Sequence, residues 1–145
     1  MDKELKREII VDNYQNPFHK ESTGDSSYIK VNTNNESCID NLDIYMKIES
    51  NIIKDVLFDG EACAISTSAT SIMLRNLIGK TLSEVKELLD NYDAMIDEKP
   101  YSEEKLKDLI VYNEIYLQPN RKTCALLPSN AVRKILSKYE ANHVD

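Results

Sequence analysis

Three cysteines are the residues of this chain best suited to chemistry: Cys38, Cys63 and Cys124. Cys38 lies in the polar stretch Asn34-Asn35-Glu36-Ser37-Cys38-Ile39-Asp40, Cys63 follows Asp59-Gly60-Glu61-Ala62, and Cys124 follows Asn120-Arg121-Lys122-Thr123. An odd number of cysteines is a poor disulfide framework. All three are expected at the ends of elements, off the apolar stripes where a buried structural cysteine ordinarily replaces a small hydrophobe. That placement favours reactive or metal-ligating thiols over inert ones. Cys63 and Cys124 are expected close to helix N-termini, where the macrodipole stabilises a thiolate, and Arg121 and Lys122 add positive charge beside Cys124. Three thiolates leave a tetrahedral metal one ligand short. Asp40, two residues beyond Cys38, can supply a carboxylate oxygen for a Cys₃Asp set, or can simply close an Asx-type turn. The separations are not those of a local CxxC knuckle, so spacing alone leaves unrelated thiols and a shared site both open. His19, alone in an Asn/Pro loop, reads as a solvated side chain, and His143 as tail.

The elements that must position these residues follow from periodicity. Leu5, Ile9 and Ile10 predict an amphipathic helix from Asp2 to Asn13, stopped by Asn16-Pro17. Tyr28 and Val31, then the alternating Leu42, Ile44, Met46 and Ile48, then Ile52, Ile53, Val56 and Phe58 predict three antiparallel strands, with Ser50-Asn51 as a two-residue turn. Ile65, Ala69, Ile72, Met73 and Leu77 form a helical stripe ending at Gly79. Thr81 and Glu84 are a capping box for a helix carrying Leu82, Val85, Leu88, Leu89 and Tyr92. A further helical face, Leu106, Leu109 and Ile110, follows the N-cap candidate Ser102, and a last helix carries Ala131, Val132, Ile135, Leu136 and Tyr139. Pro128 is tolerable only in a first turn or at a kink, which implies a late start for that helix. The expected fold is α+β: an N-terminal helix, a small three-stranded antiparallel sheet, and a cluster of about four helices covering one face.

The 145 residues are expected to form a single domain, 1–145, long enough to bury roughly 70% of its unfolded surface. With 41% hydrophobic and 30% charged residues the composition excludes a disordered or collagen-like chain, and no apolar run is long enough for a membrane span. The opening MDKELKREII scatters charges where a signal peptide would carry an apolar core, so the expected location is cytoplasmic. A net charge of −7 with dispersed basic residues argues against nucleic acid as a partner.

Several segments together are similar to a known family. Tyr14-Gln15-Asn16-Pro17 resembles an HY-x-NP segment, Cys38-Ile39-Asp40 a CGD motif, Phe58 through Ser66 the pattern F-x-GEGCxIS, and Arg121-Lys122-Thr123-Cys124-Ala125 an RxxCA segment. These are the motifs of the IscU-like (NifU N-terminal-like) iron–sulfur cluster assembly scaffold family. Thr123 stands where IscU members have histidine, the LPPVK motif is absent, and the region from Asp93 to Leu117 resembles the extra segment of the SufU branch. Ile39 and Ala62 replace family glycines, and Phe18-His19 stands where arginine and asparagine are usual.

The resemblance implies a zinc site formed by Cys38, Asp40, Cys63 and Cys124, with Cys38 as the sulfur-accepting thiolate and Arg121 steadying the site. It implies a sulfur acceptor or activator that takes persulfide from a PLP-dependent cysteine desulfurase of the SufS type and passes it to downstream iron–sulfur assembly proteins. One alternative is a scaffold on which a [2Fe–2S] cluster forms on the same four residues. Another is an interaction module with a purely structural zinc.

Overall fold

The computed structural model describes residues 1–33 and 40–142. The expectations that fall on Cys38, Ile39 and His143 lie outside the described residues. Helix α1, Lys3–Gln15, starts where the Asp2 carboxylate accepts the Leu5 N–H at 2.8 Å and stops at Asn16, ahead of Pro17. Strands β1, Ile29–Asn32, β2, Asn41–Glu49, and β3, Ile52–Glu61, form one antiparallel sheet in the order β1-β2-β3. Ser50 and Asn51, with φ of 53° and 62°, make the left-handed pair that a tight hairpin requires.

The register sets one face inward. Val31 lies opposite Ile44, Ile44 opposite Phe58 and Met46 opposite Val56, and all of these side chains are buried. At the end of the hairpin Gly60 lies opposite Leu42 with φ +125°, and a Cβ there would stand 2.2 Å from the carbonyl oxygen of Asn41. Only glycine fits this approach, which holds the end of β3 against the start of β2.

Helix α2, Ala64–Arg75, is buried from Ser66 to Leu74, and α1, β3 and the last helix pack around it. Its small polar residues are paired inward: Thr70 Oγ1 donates to the Ser66 carbonyl at 2.7 Å, Ser71 Oγ to Asn13 Oδ1 at 2.7 Å, and Ser68 meets the Tyr112 hydroxyl. Helix α3, Leu82–Ile96, carries the complete capping box of Thr81 and Glu84. One apolar cluster runs from the sheet through the helices. Among the described residues no helix is long and apolar enough to cross a membrane.

Two expectations about the C-terminal half are corrected. Residues after Ser102 form three short 3₁₀ segments, Glu103–Lys105, Lys107–Tyr112 and Ile115–Leu117, instead of an α-helix, and Ser102 makes no side-chain cap. Lys107, at φ +52°, breaks any continuous helix, and the buried Leu106, Leu109, Tyr112 and Ile115 recur every third residue, the 3₁₀ period. Helix α4, Pro119–Asn142, starts early and runs through Pro128. Pro119 supplies a favourable first position, and Pro128 lies buried inside the helix.

Candidate metal centre

The end of β3 hands the chain to α2 through Ala62 and Cys63. Cys63 is the N-cap of α2: its extended backbone leaves the thiol facing the helix end, where Sγ accepts the Ser66 N–H at 3.4 Å. The expected position at a helix N-terminus is therefore observed for Cys63. Asp40 immediately precedes β2 and is 1% exposed. Its Oδ1 accepts the Cys63 N–H at 2.7 Å and its Oδ2 accepts the Ser66 hydroxyl at 2.6 Å. A buried carboxylate is thus held by donors at the positive end of a helix, which offsets much of its desolvation.

Cys124 is placed differently from expectation. Because α4 begins at Pro119, Cys124 lies beyond the first turn and on the buried stripe with Pro128, Ala131 and Ile135. It is only 8% exposed, yet it faces the other two residues. One ligand atom each from Asp40, Cys63 and Cys124 fall within 4.8 Å of one another. Burial pushes the Cys124 thiol up, and its hydrogen bond to Cys63 and the charge of Cys63 push it the same way. Two sulfurs and a carboxylate oxygen in one shielded spot are a soft, electron-rich donor set whose mutual repulsion a divalent cation relieves. The residues present therefore fit a zinc ion.

Arg121, in the first turn of α4, is exposed and makes no ion pair among the described residues. Lys122 is not a cation for the Cys124 thiol, because its Nζ pairs with Asp97 Oδ1 at 3.3 Å. His19 is half exposed, with Nδ1 3.0 Å from the Val56 carbonyl and its ring stacked on Phe18, away from the cluster.

Sequence reasoning missed Ser66. Its hydroxyl lies 2.6 Å from Asp40 Oδ2, 3.4 Å from Cys63 Sγ and 3.3 Å from the carbonyl oxygen of Cys124, so it touches every residue of the described cluster. The available signal was its place three residues after a helix-capping cysteine, where an N–H and a hydroxyl both face the cap.

A three-stranded antiparallel sheet covered by helices, with an Asp/Cys/Cys cluster where sheet end meets helix start, defines an α+β class with a candidate metal centre at the junction. Residues 5–145 match the NifU-like N terminal domain, and the chain belongs to that family. Among curated relatives it is 31% identical over 140 residues to the zinc-dependent sulfurtransferase SufU of Bacillus subtilis, covering 96% of this chain and 94% of that protein. It is 29% identical over 136 residues to the iron-sulfur cluster assembly scaffold protein IscU of Thermotoga maritima, covering 94% and 95%. Among solved structures, the putative SUF-system scaffold SufU of Fervidobacterium islandicum superposes with a TM-score of 0.78 at 29% identity, covering 91% of this chain and 97% of that one. The N-terminal NifU-like protein of Brucella abortus, at 21% identity and a TM-score of 0.82 over 92% of both chains, shares the fold.

Proposed function

We propose that the protein is a zinc-dependent sulfur acceptor of iron–sulfur cluster assembly. The observation that carries this reading is the convergence of Asp40, Cys63 and Cys124 within 4.8 Å at the N-terminus of α2. Its support from relatedness is the zinc-dependent sulfurtransferase at 31% identity. In this reading Cys38 completes the ligand set and is the sulfur acceptor, while Asp40, Cys63 and Cys124 hold the zinc and Arg121 steadies the arriving sulfur. Zinc, when bound, keeps the thiols deprotonated at neutral pH and adds no redox chemistry of its own.

The chain's own residues do the rest. The Cys38 thiolate attacks the outer sulfur of a persulfide on a PLP-dependent cysteine desulfurase of the SufS type. A new S–S bond forms on Cys38, the old one breaks, and the donor cysteine leaves as a thiolate, so charge and oxidation level balance without an added oxidant. The buried Asp40 and the helix-capping Cys63 stay in place during this exchange, because both are anchored by α2 backbone or side-chain donors. Downstream iron–sulfur assembly proteins then take the sulfur. The chemistry suits a reducing compartment such as the cytoplasm, where thiols stay free. The experiment is incubation with the cognate desulfurase and cysteine: mass spectrometry should find one added sulfur on Cys38, with faster cysteine turnover. Unchanged turnover together with unmodified Cys38 contradicts the reading.

A second reading, a scaffold for a [2Fe–2S] cluster on the same residues, is favoured by the 29% identical Thermotoga scaffold protein. Anaerobic addition of iron and sulfide separates the two. A cluster chromophore that survives traces of zinc supports the scaffold, and its loss to zinc supports the acceptor.

A further inference from the structure

Ser66 of α2 and Pro128 of α4 act on one atom, the carbonyl oxygen of Cys124. In an uninterrupted helix that oxygen accepts the N–H of the residue four positions ahead. Here that residue is Pro128, which has no N–H and whose ring crowds the same carbonyl outward. The Ser66 hydroxyl stands 3.3 Å from that oxygen. The same hydroxyl donates to Asp40 Oδ2 at 2.6 Å and accepts from Cys63 Sγ at 3.4 Å. Ser66 is fully buried, and Cys124 and Pro128 are buried, so this carbonyl belongs to a shielded part of the helix. One hydroxyl proton serves one of these acceptors at a time.

We propose that Ser66 is a positioning residue whose hydroxyl turns between the Asp40 carboxylate and the Cys124 carbonyl, and that Pro128 keeps the second acceptor open. The inference rests on the reading of Asp40, Cys63 and Cys124 as metal ligands. With its proton on Oδ2, the hydroxyl holds the carboxylate in place. When Asp40 gives that lone pair to a cation, the hydroxyl turns to the Cys124 carbonyl, and no buried O–H is left without an acceptor. An N–H at position 128 draws that carbonyl back into the helix ladder, so the hydroxyl keeps competing with the cation for Asp40.

The test is a double-mutant cycle of Ser66→Ala and Pro128→Ala, read as Zn²⁺ affinity by competition with a chelator, with thermal melts of the metal-free proteins alongside. Each single variant should bind zinc about 2–10-fold more weakly, and the double variant no more weakly than Ser66→Ala alone. With Co²⁺ as probe, the thiolate-to-metal absorption of Pro128→Ala should be unchanged while release to the chelator is faster, a split that general loosening of α4 does not produce. Losses that multiply in the double variant, or unchanged affinity in Pro128→Ala, overturn the proposal. If Ser66→Ala fails to fold, Pro128→Ala alone decides by the same affinity and spectrum. A wild-type protein that binds no zinc overturns the metal-site reading and this proposal together, whereas zinc binding with a multiplicative cycle overturns only this one.

Discussion

At the scale of single residues, the described cluster owes its form to a few donors at one helix end. Asp40 is the residue whose burial would cost most if it stood alone, and both of its oxygens are met from α2. Asp40→Asn can still accept the Cys63 N–H but lacks the charge. It is expected to fold and to lose zinc affinity by more than the ~10–100-fold that loss of an outer-shell partner costs, measured by chelator competition. Much of this was legible in the sequence. Cys63 sits where a strand pattern gives way to a helical one, and Asp40 is a carboxylate two residues beyond Cys38. Ser66 was not legible as a site residue, because a hydroxyl in a helical run has many uses and two of its partners come from elsewhere, the residue ahead of β2 and α4. Nor was the position of Cys124, since the short polar segment before it hides a helix that has already begun.

At the scale of elements, local chemistry was readable wherever it was complete within a few residues. The Ser50-Asn51 turn and the Thr81/Glu84 box are of this kind, and both are observed. The region after Ser102 departs from the α-helix its sequence suggests because four apolar residues with period three resemble a helical face over any short stretch. α4 was given a late start because a proline rule outweighed a buried stripe that in fact extends back through Pro128 to Cys124. Two substitutions separate framework from site. Thr81→Ala breaks the capping box far from the cluster and should cost about 1 kcal/mol in denaturant unfolding with zinc affinity unchanged. Gly60→Ala drives a Cβ to 2.2 Å from the Asn41 carbonyl, one residue from Asp40. It should cost at least about 1–3 kcal/mol and weaken zinc retention as well. If retention survives Gly60→Ala intact, the close approach of the strands does not position Asp40.

At the scale of the whole molecule, one core joins the sheet to the helices that carry the cluster, and two buried tyrosines report its integrity. Tyr92 donates to the Ala125 carbonyl at 2.7 Å, next to Cys124, and Tyr112 meets Ser68 of α2. Burial is the main cause that holds both phenols above their ordinary value of 10.0. The folded state therefore keeps protons that the unfolded chain releases near pH 10. Their contribution to stability is intact below that value and is lost as pH rises through the folded-state values. In an alkaline titration, tyrosinate absorbance from these two should appear only with unfolding, and their ionisation in a still-folded protein near pH 10 contradicts this account. The overall arrangement of helix, sheet and helices was legible from the segregation of periodic patterns; the convergence of residues far apart in sequence was legible only through motif context, since no local pattern encodes it. The most direct measurement of the central claim is elemental analysis of the purified protein beside its Cys124→Ser variant. One zinc per chain is expected in the first and none in the second; zinc at full occupancy in the variant, or none in the wild-type protein, contradicts a zinc held by Asp40, Cys63 and Cys124.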